Sequence, residues 1–132
     1  MSQTFTQMLK KVETFHKKHD FSNKENNGHD MAYRILLTIE ELGELAECFT
    51  KGKSLDEKSE ELADILILII GHAIAMDVNL EDAFDKKMKI IMKRNAIKGD
   101  FGIRVTDYKK RKFGKSLNIA PSSEKCVTTK RQ

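Results

Sequence analysis

Proline is almost missing from this chain: one residue in 132, Pro121, close to the end. Nothing before it forces a helix to break. Tryptophan is absent and tyrosine occurs twice. The two cysteines, Cys48 and Cys126, are far apart and lack the spacing of a metal or redox motif. They read as free thiols of a reducing compartment. Long hydrophobic runs are lacking too. The longest, "ILILIIGHAIAM", covers 12 residues from Ile65 to Met76 and contains His72, whereas a membrane-spanning helix needs about 20. The start, "MSQTFTQMLKK", has no apolar signal core. These absences predict a cytoplasmic protein with no membrane partner. No alternating strand pattern and no internal repeat is visible.

What is present is charge. Hydrophobic residues make up 39% and charged residues 33% of the chain, an ion-rich composition with enough length for one domain with a core. The net charge of +4 is unevenly spread. Residues 100–132 hold nine Lys/Arg and three Asp/Glu, hence +6, which leaves −2 on residues 1–99. The expected organisation is a mildly acidic helical domain, 1–99, and a basic, partly disordered tail, 100–132.

Helical periodicity runs through the body. Phe5, Met8, Leu9, Val12 and Phe15 recur at helical spacing and predict a first helix to about His16. "HDFSNKENNGHD" is a loop, with Asp30 as a cap for the next helix. That helix, Met31 to Lys51, carries the apolar stripe Ile35, Ile39, Leu42, Ala46 and Phe49, and Gly52 suits its C-terminal cap. "SLDE" matches a capping box, Ser54 with Glu57. It opens a helix to about Met76 whose second half is apolar on every side and should be buried all round. After the turn "DVN", a fourth helix is expected from Leu80 to Lys98, stopped by Gly99. The predicted fold is all-α, a four-helix bundle completed by oligomerisation.

Carboxylates enter this apolar framework twice. "EELGE" holds Glu40, Glu41 and Glu44, and "EELAD" holds Glu60, Glu61 and Asp64 just before "ILILII". At 100° per residue, Glu41 and Glu44 share one side of their helix, and Glu61 and Asp64 repeat the three-residue spacing on the next. A short connection makes the two helices antiparallel neighbours, so the pairs can face each other. Four such carboxylates cannot all stay ionised in a partly buried site without cations. Hard divalent ions answer this, because Mg²⁺ prefers oxygen ligands and retains room for phosphates. Either acidic cluster alone reads as a solvated helix face; the paired spacing on adjacent helices is what points to metal.

"EELGELAE" followed by "EELADILILI" resembles the signature of the MazG-like, all-α nucleoside triphosphate pyrophosphohydrolases, and the resemblance covers about residues 5–98. It implies Mg²⁺-dependent cleavage of a nucleoside or deoxynucleoside triphosphate between the α and β phosphates, giving monophosphate and pyrophosphate. Mn²⁺ is an alternative ion. It also implies self-association as a homodimer or a dimer of dimers. The family's metal ligands fall on Glu41, Glu44, Glu61 and Asp64, and a motif carboxylate, Glu40 or Glu41, would orient or deprotonate the attacking water. On the following helix the family places a basic residue and an Asn toward the phosphates. Here Lys87, Arg94 and Asn95 are the candidates, Lys87 and Arg94 sharing a helical face, while the family's usual Asn position holds Ile91.

Three features stand outside this pattern. His72, eight residues after Asp64, reads as a hydrogen-bonded core histidine. Glu13 and His16 form a single Glu-x-x-His, whereas a di-iron bundle needs two. "YKKRKFGK", residues 108–115, mixes aromatic and basic side chains. It supports the alternative reading of a non-catalytic helical module that binds nucleic acid or a protein through its tail; nucleic acid is the less favoured partner.

Overall fold

The computed structural model describes residues 2–106. They form two compact units, divided between Met92 and Lys93. The tail motif at 108–115 and Cys126 lie outside the described residues.

The first unit contains four helices: α1 (Phe5–Lys18), α2 (Met31–Thr50), α3 (Leu55–Ala75) and α4 (Leu80–Ile91), with a 3₁₀ turn at Lys24–Asn26 in the first loop. Each α-helix starts where a side chain satisfies an orphan backbone N–H. Thr4 and Ser54 make full capping boxes with Gln7 and Glu57. Asp30 accepts from the Tyr33 amide at 2.8 Å, and Asn79 from that of Asp82 at 3.0 Å. Such caps contribute about 1 kcal/mol each. α2 ends in a left-handed cap: Gly52 has φ +62, and the Lys53 amide donates back to the Cys48 carbonyl at 2.9 Å. This is the 6→1 bond of a Schellman motif.

The tight connection after Gly52 folds α3 back along α2. Arg34 bonds to Leu68 and His72, while Glu41 further along α2 meets Glu61 and Asp64, so numbering rises on α2 as it falls on α3. α1 packs on α3, with Val12 and Phe15 lining a groove shared with Leu66, Ile67 and Ile70 and His16 close to Gly71. The buried apolar side chains are Val12 on α1, Ile70 and Ala73 on α3, and Cys48 near the α2–α3 turn. No helix among the described residues is long and apolar enough to cross a membrane.

Two expectations about packing are corrected. The stripe Ile35, Ile39, Leu42 and Phe49 does not face the chain's own core, for these side chains are 49–64% exposed. The face of α2 turned inward is the adjacent one, where Arg34 and Cys48 are buried and Thr38, Glu41 and Leu45 are half-buried. The apolar half of α3 is covered all round at one turn only. Ile70 to Ala73 are buried, while Leu66, Ile67 and Ile69 are 40–45% exposed. Polar pairing across the α2–α3 seam, rather than the apolar stripe, decides which faces meet.

The fourth helix is also shorter than expected. It ends at Ile91 rather than continuing to Lys98, and among the described residues none of its side chains is buried. The second unit begins with an antiparallel hairpin, β1 (Ala96–Gly99) and β2 (Gly102–Val105), in the register Ala96 to Val105. Ile97, Ile103 and Val105 are β-branched and favour extended backbone, and "GDFG" supplies a two-residue turn. Gly99, expected to stop a helix, instead closes a strand.

Candidate metal centre

One carboxylate of α2 and two from successive turns of α3 come to one place. Glu41, Glu61 and Asp64 each offer an oxygen, and these atoms lie within 4.8 Å of one another. Glu41 and Glu61 are half-buried and Asp64 is exposed, so the cluster opens to solvent on the α3 side.

Its electrostatics are strained in the absence of a counter-charge. Burial raises the Glu41 carboxyl above its ordinary range, and the neighbouring charges of Asp64, Glu44, Glu61 and Glu40 push it further in the same direction. The Glu61 Oε2 atom is buried without a hydrogen-bond partner among the described residues. A buried carboxylate oxygen with no donor is costly to leave so. All donors are hard oxygens, which matches Mg²⁺, Mn²⁺ or Ca²⁺ rather than a thiophilic metal. The orphaned oxygen and the mutual repulsion both fit a divalent cation at this point.

Of the residues singled out by spacing, Glu41, Glu61 and Asp64 converge. Glu44 and Glu40 lie outside that trio, although both act on Glu41 through their charge. Lys87 is exposed on α4. The helical face expected to pair it with Arg94 does not exist, because α4 stops at Ile91. Arg94 and Asn95 follow in the second unit, where the Asn95 carbonyl accepts from the Thr106 amide at 3.3 Å. The reason is local: a Gly-rich turn and β-branched flanks outbid the helical continuation of "KKMKIIMKRN".

Periodicity did not show a groove beside the carboxylates. α1 and α3 enclose a cavity of about 430 Å³ that ends at Asp64 and is walled by Met8, Val12, Phe15, Leu66 and Ile67. Lys11 and Gln3 stand at its edge, joined by a 2.9 Å hydrogen bond. Only the docking of α1 on α3 creates it.

A buried polar network lies below the carboxylates along the same helices. Arg34 is 2% exposed. Its Nε donates to His72 Nδ1 at 3.0 Å, Nη1 to the Gly28 carbonyl at 2.9 Å and Nη2 to the Leu68 carbonyl at 3.3 Å. A guanidinium only donates, so Nδ1 of His72 is the unprotonated nitrogen. Nε2 then carries the proton and donates to Thr38 Oγ1 at 2.7 Å, and that hydroxyl donates to the Arg34 carbonyl at 3.0 Å. His72 is thus the hydrogen-bonded core histidine expected. Burial lowers its pKa, and so does the charge of Arg34, which keeps the ring neutral as the network requires. On the other side, His16 Nδ1 and His29 Nε2 share a hydrogen bond of 3.0 Å.

Comparison with curated proteins and with solved structures returns no match. Comparison with family models matches the MazG nucleotide pyrophosphohydrolase domain over residues 31–96, from the first residue of α2 to the first of β1. That span contains both carboxylate-bearing helices and is half of the chain. The converging trio sits inside it, on the two helices that the acidic motifs predicted, and the chain belongs to the MazG nucleotide pyrophosphohydrolase domain family.

Proposed function

We propose that this chain hydrolyses a nucleoside or deoxynucleoside triphosphate to the monophosphate and pyrophosphate, with Mg²⁺ (Mn²⁺ as substitute) held by Glu41, Glu61 and Asp64 and approached by Glu44. The observation that carries this reading is the convergence of three carboxylates, one with an orphaned buried oxygen, inside the matched family domain. When bound, the cation supplies positive charge against the triphosphate and makes a nearby water more acidic.

The protein's own groups divide the remaining work. Glu41, whose pKa is raised by burial and by the neighbouring acids, orients the attacking water or takes its proton, with Glu40 as the other candidate. Attack by water forms a P–O bond and breaks the bridge between the α and β phosphates, so the departing phosphate group takes the bond's electron pair and monophosphate and pyrophosphate separate. The groove between α1 and α3 holds the nucleoside against Phe15 and the aliphatic wall and keeps water from that side. Lys87 is assigned to the phosphates as a mobile charge on α4; Arg94 and Asn95 share that assignment on the family resemblance alone.

The same reading includes self-association. Ile35, Leu36, Ile39, Leu42 and Phe49 leave one face of α2 apolar and uncovered. Leu62 and Ile69 do the same on α3. A patch of this kind marks an association surface. Burying roughly 1,600 Å² at about 25 cal/mol per Å² outweighs the cost of association. A homodimer or a dimer of dimers is proposed. A cytoplasmic location is proposed from the free, buried thiol of Cys48.

The test is direct. Incubation with each of the eight common NTPs and dNTPs and Mg²⁺ should release pyrophosphate from at least one. Orthophosphate as sole product, or no product from any, overturns the reading.

A further inference from the structure

Arg34 is buried in a seam that also holds the carboxylates, yet among the described residues its hydrogen-bond partners are all neutral: a His72 nitrogen and the Gly28 and Leu68 carbonyls. A buried guanidinium is costly unless every bond it makes has sound geometry. Replacing such a group by an apolar one is often harmless to stability, so stability alone gives no account of it here.

Its place in the helices gives one. Glu41 follows Arg34 by seven residues on α2, two turns further along nearly the same face. On α3, Glu61 precedes Leu68 by the same seven, and Asp64 precedes it by four and His72 by eight. One to two turns from the clamp's contacts, on both helices at once, stand the three converging carboxylates. Aliphatic packing tolerates sliding and rotation by fractions of an ångström. A planar fork fixed to a backbone carbonyl and a ring nitrogen of the opposite helix does not. Thr38 closes the ring by joining His72 back to the Arg34 carbonyl, so both helices are tied through side chain and backbone. Gly71 makes the approach possible, since a Cβ there would fall 2.1 Å from Arg34 Nη2.

We propose that Arg34, with His72 and Thr38, is a positioning clamp that sets the axial register and rotation of α2 against α3 and so holds Glu41, Glu61 and Asp64 at metal-binding separation. The inference rests on the reading of those three carboxylates as metal ligands. The clamp touches neither metal nor substrate. Residues that orient ligands from behind commonly govern metal affinity by about 10–100-fold, and this one acts through the helix frame.

The experiment is Mn²⁺ titration of the full-length protein by calorimetry and by the electron paramagnetic resonance signal of free Mn²⁺, with no nucleotide present. Four variants are compared with wild type: R34K, H72L, H72N and C48A. Thermal melting of each is recorded alongside. C48A trims a fully buried side chain two turns beyond Glu41 on α2, on the side away from Arg34, and reports what destabilisation alone does to affinity. R34K loses the fork and H72L loses the acceptor for Nε, and both should weaken Mn²⁺ binding about tenfold. H72N keeps an acceptor oxygen near the place of Nδ1 and should stay within about threefold of wild type. C48A should bind as wild type does, whatever its melting temperature. Affinity that tracks melting temperature across all four variants overturns the clamp, as does R34K binding that matches wild type. Failure of wild type to bind Mn²⁺ at all sinks the metal-site reading itself, and the clamp's role with it.

Discussion

Arg34 occupies the space that a side chain on Gly71 would need: a Cβ at that position would stand 2.1 Å from Nη2 of Arg34 and 2.8 Å from Nε2 of His16. In an ordinary helix interior, Gly→Ala gains about 1 kcal/mol of propensity. Here the guanidinium cannot swing aside without giving up three hydrogen bonds. Gly71→Ala should therefore destabilise the fold, by about 1–3 kcal/mol, measured by urea unfolding. A more stable Gly71→Ala protein would contradict the packing described.

His16 is 5% exposed, and its pKa is lowered to about 4, first by burial and then by the charges of Arg34 and His29. The unfolded chain takes up this proton near pH 6.5. The native state resists it until about 4, so acid favours unfolding. The stability that neutral His16 contributes is complete above about pH 6.5 and is lost as the pH falls toward 4, by at most about 3 kcal/mol. Urea unfolding at pH 7.5 and 5.0 should show the loss in wild type and a smaller one in His16→Gln. Equal pH dependence in both proteins would count against it.

Glu41 shifts the opposite way. Its carboxyl is raised by burial and by four neighbouring acids, so at neutral pH its charge opposes folding of the metal-free chain; that penalty disappears as the pH drops below its folded pKa. Glu41→Gln should raise the melting temperature of the metal-free protein and abolish the further rise that Mg²⁺ gives wild type. A variant that melts lower without metal, or still gains from Mg²⁺, would refute the electrostatic description of the site.

How far the residues alone disclose this molecule depends on what kind of force decides each element. Caps and periodicity are local, so Asp30, Gly52 and the Ser54–Glu57 box mark their helix ends correctly in the bare chain. The carboxylate trio was legible because i, i+3 spacing on two adjacent helices is itself a geometric statement. Which face of α2 turns inward was not. Apolar count favoured the Ile35–Phe49 stripe, and only the Arg34–His72–Thr38 bonds, invisible without the partner helix, turn the neighbouring face to the seam. "AIKGDFGIRV" reads by itself as a helix end and tail, since a lone Gly stops a helix as readily as it closes a hairpin.

The outward stripe carries its own consequence. Leu36, 60% exposed on α2, lies in the face assigned to a second copy. Light scattering at micromolar concentration should give wild type a mass of two or four times the 15.1 kDa of one chain. Leu36→Glu should shift it toward a single chain with circular dichroism unchanged. A wild-type mass of one chain would rule the assembly out.

The central claim is that Glu41, Glu61 and Asp64 form the hydrolytic metal site of a nucleotide pyrophosphohydrolase. Phosphorus NMR of the products, taken with wild type, Asp64→Asn and a nucleotide that the chain hydrolyses, tests it most directly. The expected result is monophosphate and pyrophosphate in equal amounts from wild type with Mg²⁺, none after chelation, and a rate at least about 100-fold lower for Asp64→Asn. Diphosphate and orthophosphate as products, or an Asp64→Asn protein that works at the wild-type rate, would contradict it.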